Sequence, residues 1–196
     1  MTDNVRLVVM GEPAPGTSAF THVEDVEPLK LRGGSRAWMV WGWDTPPTLP
    51  HHDAEPYVAR SLFPPPGGVR VWASSFMDAP AAGEAADERD AAEFARLLSA
   101  EPVGMYEDPA RPGMHRTDSI DIAVVVSGEM TSVADDGSKV VLRAGDVYVQ
   151  NGAIHNWEWD PEHPAHVVWI LLGAERDPAS RDRDPLVRDQ DPADTH

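Results

Sequence analysis

Cysteine is absent from this 196-residue chain. That excludes disulfides, thiolate metal sites, cysteine-ligated iron–sulfur clusters and cysteine nucleophiles. Any metal would have to be held by histidine and carboxylate. Lysine is scarce as well, with two against 14 arginines, and the 16 basic residues face 33 acidic ones for a formal charge of −17. Such a chain lacks the positive surface that neutralises phosphates, so no nucleic-acid partner is expected. Recruitment to an anionic membrane surface is not expected for the same reason. No apolar run approaches the ~18 residues of a membrane span, and the first residues do not read as an export signal, so a cytoplasmic location is expected.

What the chain does have is 41% hydrophobic residues, enough for a sizeable core, and 19 prolines and 15 glycines as punctuation. The apolar stretches between them are short and rich in Val, Ile and Trp, the pattern of an all-β sandwich or barrel. Candidate strands are Arg6–Met10, Ala19–His22, Ala37–Trp43, Tyr57–Phe63, Val69–Phe76, Ile120–Ser127, Glu129–Ala134, Lys139–Leu142, Val147–Gln150, Ile154–Trp159 and His166–Leu172. The later ones read as a meander reversing at Asp135-Asp136-Gly137, Arg143–Asp146, Asn151-Gly152 and Asp160–Pro164. One segment, Glu84–Ala100, is rich in helix formers and places Ala91, Phe94, Leu97 and Leu98 on one face. The organisation expected is an N-terminal β arm and helix over 1–111, a barrel core over 112–173, and a disordered acidic tail over 174–196, where only Leu186 and Val187 are large aliphatics.

Chemistry has to come from the eight histidines and the carboxylates near them. On one strand His115, Thr117, Ser119 and Asp121 would share a face, but His115 and Asp121 would lie roughly 20 Å apart. They meet only if the chain bends at Thr117-Asp118-Ser119, whose side chains compete for local backbone hydrogen bonds. His155 follows the Asn151-Gly152 turn. All three potential ligands therefore sit beside turns, where a barrel mouth would be. Trp157 and Trp41 are the tryptophans expected to line a pocket for a flat or apolar substrate. His51-His52-Asp53 reads as a solvated loop, and His166 as a rim or core histidine.

The stretches HRTDSIDIAVVVSGE and AGDVYVQNGAIHNW resemble the two-motif signature of the cupin superfamily over residues 112–173. His115 matches the first histidine of the first motif, Thr117 falls where a second would be, Asp121 replaces its Glu, and Gly128 closes it. In the second motif Gly145, Gly152 and His155 match, Gln150 stands for a Pro, and Trp159 stands for the terminal Asn. The segment from Arg6 to Met77 is similar to the arm of a cupin group that often accompanies natural-product pathways. The resemblance implies a double-stranded β-helix (jelly-roll) barrel with an N-terminal β arm and one α-helix. It also implies a homodimer and a divalent metal (Fe, Mn, Ni or Zn) on His115, Asp121 and His155.

That set is the 2-His-1-carboxylate arrangement of non-heme Fe(II) oxygenases. The same residues serve metal-free chemistry, with His155 as general acid or base, Asp121 orienting its imidazole, and Thr117 bonding a water or substrate oxygen. Three functions follow from the resemblance: a lyase, dehydratase or cyclase acting next to a carbonyl or carboxylate; an Fe(II)-dependent dioxygenase; or a non-enzymatic small-molecule binder.

Overall fold

The computed structural model describes residues 4–31, 34–50, 58–76, 87–101, 104–160, 163–181 and 186. Thirteen strands and two helices lie among them, and the strands form three antiparallel sheets. The first two strands, β1 (Val5–Ala14) and β2 (Thr17–Val26), pair only with each other as a long hairpin arm. Next come β3 (Leu29–Lys30), β4 (Arg36–Trp43) and β5 (Val69–Phe76), then the helix α1 (Glu88–Ser99). The remaining strands are β6 (Met105–Glu107), β7 (His115–Thr117), β8 (Ser119–Ser127), β9 (Glu129–Ala134), β10 (Lys139–Arg143), β11 (Val147–Asn151), β12 (His155–Trp159) and β13 (Ala165–Gly173), followed by the short helix α2 (Pro178–Arg181).

Five strands in the order β10-β9-β12-β7-β6 face six in the order β11-β8-β13-β5-β4-β3. This is the all-β double-sheet barrel the sequence implied, but its path is not a meander. Only β9 and β10 are consecutive strands paired as a hairpin in the last third. Their turn forms at Asp135–Gly137, where Gly137 adopts φ +81° and Gly137 N–H donates to Ala134 O at 2.9 Å. Elsewhere the turns carry the chain from one sheet into the other. Gly128 makes the crossing from β8 to β9 at φ +70°; a Cβ there would meet Pro164 O at 2.1 Å, so only glycine fits.

Alternation decides which residues enter the barrel. On β13 Ala165, Val167, Trp169 and Leu171 are buried and face inward, in register with Phe76, Ser74, Trp72 and Arg70 of β5. On β12 His155, Trp157 and Trp159 follow the same period. Trp169 is the hub: Trp72 stacks on it at 5.6 Å, Trp157 meets it edge-on at 5.3 Å, and its Nε1–H donates to Ser74 Oγ at 2.9 Å. The opposite, outer face of the six-stranded sheet is also apolar. Cross-strand rows run Val147–Val124–Val168–Ala73–Trp38 and Val149–Ile122–Ile170–Val71–Trp41, with Val147 and Val149 more than half exposed.

The helix forms where expected but is described only from Glu88. Asp87 caps it by accepting from Arg89 N–H, and Glu88, Asp90 and Arg96 complement the helix dipole. Among its described residues no helix is long and apolar enough to cross a membrane.

Three expectations need correcting. Val58–Phe63 is no strand (Tyr57 lies outside the described residues). The Leu62 amide donates to Leu97 O of α1, and Ser61 accepts from Arg70, so these buried residues plug the barrel end instead of pairing edgewise. Besides the one helix expected there is a second, α2, of four residues. Ala174–Arg181, placed in a disordered tail, is ordered: Ala174 N–H donates to Asp118 O and Arg176 bonds Asp118, Thr117 O and Gly152 O. Leu186 is buried. The rest of the tail, and His51-His52-Asp53, lie outside the described residues.

Candidate active site at one end of the barrel

Two cross-strand pairs build the site, one on each sheet. His115 of β7 and His155 of β12 are direct register partners, which puts their ring centroids 4.4 Å apart. Asp121 of β8 and Gln150 of β11 are register partners on the facing sheet. The chain breaks between β7 and β8 at Asp118, and this bend brings Asp121 back beside Thr117. Thr117 Oγ1 donates to Asp121 Oδ2 at 3.0 Å and Ser119 Oγ donates to Oδ1 at 2.5 Å. The Asp118 carboxylate secures the bend from behind by accepting from Arg116 and Arg176.

His155 is 4% exposed, and its Nδ1 edge is occupied: Ala153 O lies 2.9 Å away and Gln150 Nε2 lies 3.0 Å away. Gln150 is itself fixed, accepting from Gly152 N–H and donating to Ala153 O. The imidazole of His155 therefore takes its orientation from Ala153 and Gln150, not from Asp121. His115 is held the same way, with Nδ1 2.8 Å from Gly113 O. In each ring Nε2 is the nitrogen left unengaged by that carbonyl. Burial, reinforced by charge on His115, pushes the His155 pKa down to about 4, so its imidazole is neutral at physiological pH. Burial also raises the Asp121 pKa, while the Ser119 and Thr117 hydroxyls and His115 pull the other way.

Trp157 lies 5.2 Å from His155 and packs against Tyr148, forming a wall of the site. Trp41, expected in the same pocket, is elsewhere: it faces outward in the row with Val71, beside His22 and Trp43. A β-bulge between Met39 and Trp41 shifts the β4 register and reverses the face a simple count predicts. From sequence Ser119 was placed on one face with Asp121, and Gln150 only in the place of a motif proline; neither was given a role in the site, which the hydrogen bonds supply.

His115, Asp121 and His155 do come to one barrel end, but among the described residues no three such side chains are arranged to hold a metal ion. Asp121 is held by the Thr117 and Ser119 hydroxyls, and Thr117 stands where a further imidazole would. The two histidines alone are oriented as ligands are, each with Nδ1 against a backbone carbonyl. As they stand, His115, Asp121 and His155 do not form a three-ligand centre.

No protein-family model matches the chain. It is 44% identical over 174 residues, 86% of its length and 77% of the relative's, to phomopsin biosynthesis cluster protein D of Diaporthe leptostromiformis. Over 62 residues, 30% of this chain and 32% of the relative, it is 36% identical to a cupin-domain-containing oxidoreductase, virC, of Hypocrea virens. The chain is a cupin. Within that superfamily this cupin belongs to the family of the phomopsin cluster protein and is related to proteins of natural-product clusters. Its match to an RmlC-like cupin structure from Shewanella frigidimarina is loose: TM-score 0.39 and 14% identity over 78% of this chain and 87% of the other. At that level the superposition adds nothing to the assignment.

Proposed function

We propose that this cupin is a small-molecule enzyme that moves a proton next to a carbonyl or carboxylate of its substrate, in lyase, dehydratase or cyclase chemistry. The observation that carries the reading is the buried, neutral imidazole of His155, facing His115 with its Nδ1 edge tied down. In the tautomer that donates Nδ1–H to Ala153 O, the Nε2 lone pair is the base. His115 is placed to relay the proton. Asp121, with Thr117 and Ser119 bonded to it, is a second polar wall where a substrate oxygen is held. Trp157 supplies an apolar face beside the base.

The test is deuterium uptake. A panel of carbonyl- and carboxylate-bearing ring compounds is incubated with the protein in D2O, and α-exchange is followed by proton NMR. At least one compound should exchange faster with the wild type, and His155→Ala should lose about 100-fold of that acceleration or more, the usual span of general acid–base catalysis. Equal exchange in His155→Ala would remove the assignment.

A second reading, oxidation chemistry for which His115 and His155 would hold a metal, is supported by the similarity to cupin-domain-containing oxidoreductases such as virC. One iron per chain by elemental analysis, lost in His155→Ala, would put that reading first.

We also propose that the apolar outer rows are covered by a second copy of the chain. Such rows on an antiparallel sheet call for a cover, since faces open to water alternate with polar residues. Sedimentation velocity should give a dimer that Val149→Glu converts to a monomer.

A further inference from the structure

The other end of the barrel holds a cavity of about 830 Å³ that the imidazole site does not use. It lies between α1 and the ends of β4, β5 and β12. Its origin is legible in the helix. Toward its C-terminal end α1 packs on the core through Phe94, Leu97 and Leu98. Beside Phe94, Ala91, Ala92 and Ala95 line the cavity, and their methyl groups leave a space that larger side chains would fill, open to solvent at Ala92 and Ala95.

The opposite wall is aromatic and flat. Trp72 is backed by Trp169 at 5.6 Å with planes 16° apart, and Phe76 by Trp159 at 5.0 Å with planes 24° apart. Each stack fixes a ring face in one orientation before any ligand arrives, which lowers the ordering cost of binding. The volume suits a skeleton of two or three fused rings and lies in the range of small-molecule sites.

We propose that this cavity is a binding site for a flat aromatic compound, stacked against Trp72 and Phe76. It is a site distinct from the imidazole pair, with the Trp157–Trp169 contact between them.

The experiment is calorimetric titration of the full chain with 2-naphthoate, with octanoate as an aliphatic carboxylate control. The wild type should bind 2-naphthoate saturably at submillimolar concentration and octanoate at least tenfold more weakly. Ala95→Phe should weaken 2-naphthoate tenfold or more while the melting temperature holds, and Ala91→Leu serves if that variant does not fold. No saturable binding by the wild type, or unchanged affinity in both filled variants, would overturn the site. Equal binding of octanoate would overturn the flat-ring class.

Discussion

The two ends of this barrel are built from the same strands and differ in everything a ligand would meet. Following β12 inward, His155 stands at one end, Trp157 in the middle and Trp159 at the other. Across the barrel Asp121 faces the first end, while Phe76 and Trp72 line the second. The polar end is held by hydrogen bonds to backbone carbonyls and by arginines behind a bend. The apolar end is held by stacked rings and left incompletely filled. A two-residue period lets one strand serve both, because each step along the inward face reaches a new depth.

Trp169 is the part both ends share. Trp169→Ala should cost about 3–5 kcal/mol, the range for deleting a large buried aromatic side chain. Urea denaturation checks this, and a cost below about 1 kcal/mol would mean that the ends are packed independently.

Acid should strike the polar end hardest, although burial also lowers the pKa of His166 on β13. The pKa of His155 is depressed in the fold, so its contribution is fully present above the unfolded value near 6.5 and is lost as pH falls toward about 4. The loss amounts to about 3 kcal/mol across that window. Asp121 has the opposite sign: its raised pKa favours the fold at lower pH, below the ordinary aspartate range. Denaturation at pH 7 and pH 4.5 should therefore show a drop that His155→Gln removes.

The smallest effect sharpens the contrast. Arg176→Ala removes the clasp joining the β7–β8 bend to Gly152 and should cost about 1–3 kcal/mol. Hydrogen exchange should quicken at 117–121 and 152–155 and stay unchanged at 72–76. Truncation after Leu186 should leave both ends as they were.

Much of the polar end was written in the residues. The bend at Thr117–Ser119 and the ordering of His115, Asp121 and His155 around turns follow from side-chain chemistry and the two motifs. The partner of His155 was not legible. Asp121 is the obvious orienting group on paper, yet register pairs Asp121 with Gln150 and gives His155 to a carbonyl two residues before it. Register also misplaced Trp41, since one bulged residue reverses a face and no local pattern announces it. Val58–Phe63 reads as a strand because plugs and strands are both short and apolar. The sheet-to-sheet crossings were hidden for a similar reason: a glycine at a turn announces a reversal but not which sheet receives the chain.

The position of β13 sets the order of events in folding. It is the last strand of the barrel in sequence, yet it lies between β8 and β5 in the six-stranded sheet and carries Trp169. During synthesis β4 and β5 emerge with no inner neighbour, and β8 waits with one edge open. The core cannot close until residues 165–173 have left the ribosome. Pairings of this sequence separation belong to the slow class of topologies, in the millisecond-to-second range. The nascent chain must therefore keep its Val- and Trp-rich edges apart until the last strand arrives, which makes the interval before closure the period of greatest aggregation risk.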